Sequence, residues 1–347
     1  MIRRISLVLA VLALQLGWLL PAAAQESAVA AKATGWLKTQ QQADGSFAGF
    51  GAGSTADALI ALAASGEKAD DVAVGGVNAQ QFIDKNVAQI AAKPGVAAKF
   101  VIAELLTGHN PRAVAGTDLV AVVVKSYASA TGVYGPDVTS HALALLALVA
   151  AGEKIEPNAI TALEKFQLDD GSWSFAGDRT PGGGDTNTTA LVIQALVAAG
   201  QKGSPAVGKA IAYLTTQRNA DGGFPYAKDS AYGANTDANS TALVIQAIVA
   251  TGGNPTAAPW ADAQGNPLAA LVKLQNASGA FRYDDATPDD NALATYQAIP
   301  AAVLKPFPLE QIFIALQPAP TAAPTAAPAP TAAPPAGGTP ATLPNTG

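Results

Sequence analysis

The sequence predicts an all-α protein of six helix-pair repeats, and three observations carry that prediction. The stretch 167–200, QLDDGSWSFAGDRTPGGGDTNTTALVIQALVAAG, recurs almost letter for letter at 217–252 as QRNADGGFPYAKDSAYGANTDANSTALVIQAIVATG. Self-similarity of this kind marks a repeat architecture. The glycines that close successive apolar runs, Gly66, Gly108, Gly152, Gly200 and Gly252, follow one another at intervals of 42, 44, 48 and 52 residues. Each apolar run is also preceded by a second stretch of helical periodicity, over Val29–Thr39, Ala79–Ala92, Asp118–Ala128, Asn158–Phe166, Pro205–Thr216 and Pro267–Leu274.

The elements follow in chain order. Residues 1–24 read as a secretory signal peptide: Arg3 and Arg4 precede the apolar run Ile5–Leu20, and Pro21-Ala22-Ala23-Ala24 supplies small residues for cleavage near Gln25. No later stretch reaches the ~18–20 apolar residues a membrane helix needs, so the mature chain is expected to lack a span. Residues 25–317 form the repeat domain. Its apolar runs, such as Ala190-Leu191-Val192-Ile193, are hydrophobic nearly all round and belong inside a larger body. The preceding helices open with Pro157-Asn158, Ser204-Pro205 and Asn266-Pro267, where proline suits the first turn. A sixth inner helix, Leu293–Ile299, is expected to align its Gln297 with Gln246 and to end near Val303 without a glycine.

Composition narrows the chemistry. Net charge is −6, which gives no basic footprint for nucleic acid. Cysteine is absent, which removes disulfides, thiolate zinc sites and cysteine nucleophiles. With only His109 and His141 as imidazoles, neither a metal nor another cofactor is expected.

Gln41-x3-Gly45-x-Phe47, Gln167-x3-Gly171-x-Trp173 and Gln275-x3-Gly279-x-Phe281, with Gln217-x4-Gly222-x-Phe224 carrying one insertion, resemble the Gln-x3-Gly-x-Trp repeat of squalene cyclases. The same repeat links the wider terpenoid cyclase and protein prenyltransferase superfamily. The resemblance covers roughly residues 28–303 and implies a closed α6/α6 toroid with the apolar helices inside, around a central cavity. Class II terpene cyclases carry Asp-x-Asp-Asp-Thr-Ala at the start of an inner helix, where the middle Asp gives a proton. Here that frame reads Asp185-Thr186-Asn187-Thr188-Thr189-Ala190 and Asp237-Ala238-Asn239-Ser240-Thr241-Ala242. An amide has no acidic proton to give, so cyclisation by the family route is not expected. The relatives that remain are extracellular toroids holding a ligand in the barrel mouth, such as corrinoid-binding proteins.

The inner-helix starts therefore hold the candidate binding residues. Asp137, Asp185 and Asp237 stand where helix caps stand, and capping by itself accounts for an Asp there. His141 reads either as a core histidine or as a ligand contact. Counting back from each closing glycine, positions −13, −10 and −6 share one helical stripe. That stripe carries Asn187 and Gln194, then Asn239 and Gln246, then Gln297 in the later repeats, against Ile60, Ile102 and Leu146 in the earlier ones. Buried amides are costly unless bonded, so the three glutamines are expected either to form a network or to line a wetted wall. The expected ligand set is Asp137, His141, Asp185, Asn187, Gln194, Asp237, Asn239, Gln246 and Gln297, taking an apolar or amphipathic molecule such as an isoprenoid or a corrinoid.

Residues 318–342 form a Pro/Ala/Thr stalk, and 343–347 read Leu-Pro-Asn-Thr-Gly, the Leu-Pro-x-Thr-Gly signal that sortases cleave between Thr346 and Gly347. Export and display on a bacterial surface or wall, with a sortase as partner, are the expectation. Three functions compete: a non-catalytic binding toroid, a cyclase-like or prenyltransferase-like enzyme, and a structural or adhesive surface module whose toroid is filled by side chains.

Overall fold

The computed structural model describes residues 22–230 and 233–308. Among these are twelve α-helices: α1 (Ala22–Lys38), α2 (Ala52–Ala64), α3 (Ala79–Ala91), α4 (Pro94–Thr107), α5 (Leu119–Lys125), α6 (Val138–Ala150), α7 (Pro157–Lys165), α8 (Thr186–Ala198), α9 (Pro205–Gln217), α10 (Ala238–Ala250), α11 (Pro267–Lys273) and α12 (Ala292–Ala302). The even-numbered helices are apolar over most of their circumference because they are buried on most sides. Each packs on the next, and α12 packs back on α2, so they form a closed inner ring. The odd-numbered helices lie outside it, and α1 leans on α12 across the seam. This is the α/α toroid that the repeat motif implies.

Local chemistry accounts for the helix ends. Prolines 94, 157, 205 and 267 open four of the helices, and Asn78, Asp118, Ser204, Asn266 and Asn291 each accept a first-turn backbone N–H. All five marker glycines have positive φ, between 70° and 88°, which lets the chain turn sharply out of each inner helix.

The Gln-Gly-aromatic motif ties one repeat to the next. Gln167 Nε2 donates to the Gly171 carbonyl at 2.9 Å and to the Ala206 carbonyl of α9 at 2.8 Å. Gln275 Nε2 makes the same two bonds to Gly279 and, across the seam, to Val29 of α1, each at 2.9 Å. Gly171 has φ +94°, and a Cβ there would run into the Lys209 backbone of the neighbouring outer helix. The Trp173 indole is fully buried and donates to the Leu163 carbonyl at the end of α7, at 2.7 Å. The aromatic residues of the motif are turn packing. A second seam bond runs from the Tyr296 hydroxyl to the Ala48 carbonyl at 3.1 Å.

Two boundaries differ from expectation. Helix α5 ends at Lys125 rather than Ala128, because Tyr127–Ala128 (β1) pairs antiparallel with Val133–Tyr134 (β2) and the Tyr127 and Tyr134 rings meet at 4.9 Å. Helix α1 is described from Ala22, ahead of the expected Val29, so the expected cleavage point near Gln25 lies within it. Two other two-stranded pairs, Ala73–Val74 with Val77–Asn78 and Phe281–Arg282 with Asp290–Asn291, complete the described strands.

Candidate functional site

The three aspartates at the inner-helix starts are caps. Asp137 Oδ1 accepts from Ser140 N at 2.6 Å, Asp185 Oδ1 from Thr188 N at 2.6 Å and Asp237 Oδ1 from Ser240 N at 2.7 Å. The residues preceding the six inner helices are Gly51, Lys93, Asp137, Asp185, Asp237 and Asn291, of which the first two make no side-chain cap bond, and counting from them compares equivalent positions around the ring. Burial raises the Asp185 carboxyl against the pull of Thr188 and Tyr226, and raises Asp237 to about 6.

The sixth residue after each cap faces the lumen. These residues are Asp57, Lys99, Leu143, Leu191, Leu243 and Gln297, one from each inner helix, and all six line one cavity of about 250 Å³. Thr139, Asp185, Asn187, Thr188 and Tyr226 stand nearer its mouth, with Phe175, 55% exposed, beside them. Lys99, Thr139, Leu143 and Phe175 also line an adjoining open cavity of about 390 Å³, whose rim includes Asp137. The lumen has two halves. Lys99 Nζ pairs with Asp57 Oδ2 at 3.0 Å, and Gln297 accepts from Asn239 Nδ2 at 2.8 Å. Facing this polar arc are the three leucines.

This register corrects the alignment of the sixth helix. Its cap is Asn291, so Gln297 is the equivalent of Leu243 and not of Gln246. The expected stripe also shifts by one residue. The fifth positions, Ala56, Ala98, Ala142, Ala190 and Ala242, are completely buried in the ring wall, where a small side chain allows neighbouring helices to approach closely, and the sixth positions face inward.

The fourth position after the cap explains His141. Thr55, Thr189, Thr241 and Thr295 occupy it elsewhere, and their Oγ1 atoms accept from Phe47 N, Trp173 N, Phe224 N and Phe281 N at 2.8–3.0 Å. In the third repeat the acceptor is His141 Nδ1, which takes the Tyr134 N–H at 3.0 Å, while Nε2 donates to the Ala159 carbonyl at 2.9 Å. His141 is completely buried, stacked on Tyr134, and lines no described cavity. The structure places it in the scaffold rather than among ligand contacts, because both ring nitrogens are already committed.

Gln194 and Gln246 likewise stand apart from the lumen surface. After α12 the chain turns at Leu304, φ +54°, and re-enters the ring from its far end. Gln194 Oε1 accepts from Phe307 N at 2.9 Å, and Gln246 Nε2 donates to the Lys305 carbonyl at 2.9 Å. These glutamines, nine residues after their caps, hold the returning segment at the level of Ile60, Ile102 and Leu146. The apolar wall expected from those three residues is therefore core packing beneath the cavity.

Of the expected set, the structure brings Asp185, Asn187 and Gln297 to the cavity, Asn239 to a bond with Gln297, and Asp137 to the adjoining rim. Asp237 is buried as a cap. Sequence reasoning missed Asp57, Lys99, Leu143, Leu191, Leu243, Phe175 and Phe307. The first five stand nine residues before the closing glycines, one place nearer to them than the stripe expected at −10, and no motif marks Asp57 and Lys99 as a pair. Thr346 and Gly347, with the stalk and most of the signal segment, lie outside the described residues.

No family model matches this chain, and no curated protein matches it. Solved structures do. A single-residue variant of the type II terpene cyclase MstE from Scytonema, without ligand, superposes with a TM-score of 0.56 at 16% identity, over 82% of this chain and 99% of that one. Another variant of MstE, in complex with geranylgeranyl dihydroxybenzoate, gives 0.53 at 16% identity over the same shares. The unsaturated glucuronyl hydrolase of Bacillus sp. GL1 gives 0.55 at 14% identity, over 81% of this chain and 95% of that one. What this chain shares with them is the α/α toroid fold.

Proposed function

We propose that the chain is an exported toroid that holds an apolar or amphipathic small molecule in its lumen without transforming it. The observation that carries this reading is the ring of six residues with a polar arc of Gln297, Asp57 and Lys99 facing Leu143, Leu191 and Leu243. Such a lumen orients an amphipath, its polar end on the arc and its chain on the leucines. A space of about 250 Å³ lies below the ~300–1,000 Å³ typical of drug-sized ligands. It is too small to enclose a corrinoid macrocycle and suits an isoprenoid or alkyl chain. An open lumen also favours this reading over a filled structural module.

Cyclase chemistry has less support. Asn187 and Asn239 stand where the resembled cyclases place their acid, and fold alone does not carry function. One observation favours the enzyme reading: Asp185 holds its proton more tightly than an ordinary carboxyl and lines the lumen. Its Oδ1 is engaged as the α8 cap.

Incubation with farnesol, an isoprenoid alcohol small enough for the lumen, separates the two readings. Retention of the unchanged compound, lost when Leu191→Trp fills the ring, supports binding without catalysis. Conversion to a cyclised isomer that disappears in Asp185→Asn supports the enzyme. Signal and wall-sorting segments, if they act as their sequences suggest, place the toroid outside the cell with Thr346 as the residue joined to the wall.

A further inference from the structure

The segment that returns into the ring does more than close it. Leu304 turns with φ +54°, Lys305 and Phe307 are tied by backbone bonds to Gln246 and Gln194, and the Phe307 side chain stands among the residues lining the lumen. Phe307 is the one lining residue of the described cavity that comes from beyond the helices and their connecting loops. Its backbone is bonded to the side chain of Gln194, which stands three residues further along α8 than the ring residue Leu191. It therefore meets a ligand entering from the cap end at the bottom of the lumen.

We infer that Phe307 is the depth stop of the lumen, setting the length of chain the site accepts, and that Gln194 and Gln246 serve to hold it there. This inference rests on the proposed binding of amphipaths. A buried methylene contributes roughly 0.8 kcal/mol, about a fourfold gain in affinity for each one added. Affinity should climb at that rate with chain length until the terminal methyl meets the ring, and then stop climbing. Removing the ring should let the climb continue.

The test uses the full chain and a homologous series of unbranched primary alcohols from hexanol to hexadecanol, with affinity read by calorimetry. Wild type should reach a plateau at one length. Phe307→Ala, and less strongly Phe307→Leu, should move the plateau to longer alcohols, with the first alcohol past the wild-type limit gaining about fourfold or more. Phe175→Ala at the mouth should leave the limit where it is. An unchanged limit in Phe307→Ala, with native circular dichroism, overturns the inference. Xenon binding followed by NMR keeps the two proposals apart. If no alcohol binds any variant but Phe307→Ala gains a xenon site absent from wild type, the stop stands and the amphipath reading falls. If neither alcohols nor xenon distinguish the variants, the stop is refuted as well.

Discussion

The backbone N–H of Phe307 donates to Oε1 of Gln194 at 2.9 Å, a bond that spans 113 residues and joins the fourth inner helix to the segment beyond the sixth. An amide in the middle of an apolar helix is unfavourable unless bonded, and here the returning backbone supplies the partner. Gln194→Leu combined with Gln246→Leu should therefore release the segment while leaving the ring intact. Breaking buried bonds of this kind costs ~1–3 kcal/mol each, so the melting temperature should fall by several degrees, and hydrogen exchange at the Phe307 amide should accelerate at least tenfold.

Much of the ring was legible before any coordinates, because each boundary is set by local chemistry. The caps Asp137, Asp185 and Asp237 and the glycines that follow each inner helix mark their ends unambiguously, since few other residues satisfy first-turn N–H groups or turn with positive φ. The sixth repeat failed for the same reason. It lacks the closing glycine, so Gln297 was matched to Gln246 by side-chain identity, although Asn291 and Thr295 preserve the cap and the hydroxyl that set the true register. The Asp57–Lys99 pair could not be read, because its partners lie 42 residues apart on neighbouring helices and neither sits in a motif. The returning segment has no repeat to predict it.

His141 replaces a threonine as the acceptor for the Tyr134 N–H, and only the neutral ring can accept at Nδ1. Burial lowers its pKa from the ordinary 6.5. The unfolded chain therefore takes up a proton at higher pH than the folded one. The stability His141 contributes is complete above about pH 6.5 and is lost as the pH falls below it. Nitrogen-15 spectra should show an Nε2–H tautomer that stays neutral to lower pH than an ordinary imidazole does. His141→Ala should lower stability by ~1–3 kcal/mol at pH 7.5, and His141→Thr, which restores the hydroxyl of the other repeats, should recover part of that loss.

Glu104 is a buried carboxyl on α4 with neither oxygen hydrogen-bonded among the described residues. Burial, helped by the charge of Asp84 and opposed by the nearby Gln80 amide, which stands too far off for a full hydrogen bond, pushes it up to about 8. The folded protein thus keeps a proton that the unfolded chain releases near 4.5, and stability should fall as pH rises from there through 8, by up to about 1.4 kcal/mol per pH unit. Glu104→Gln should flatten this dependence and be more stable than wild type at pH 8 and above. Chemical denaturation across that range measures it, and an unchanged slope would place the titration elsewhere.

Gly171 combines φ +94° with direct contact on the Lys209 backbone. Gly171→Ala meets both a strained backbone conformation and a collision with a neighbouring main chain, and should cost ~3 kcal/mol or more. Gly200→Ala, with φ +80° but open space around it, should cost only the backbone strain of ~1–2 kcal/mol. Urea midpoints of the two variants should keep that order.

Native mass spectrometry of the purified full chain tests the central claim most directly, with wild type and Leu191→Trp each incubated with farnesol. The lumen account predicts a one-to-one complex for wild type, release of the compound unchanged on denaturation, and no complex for a natively folded Leu191→Trp. Equal binding by the filled variant, or release of a rearranged product from wild type, would contradict it.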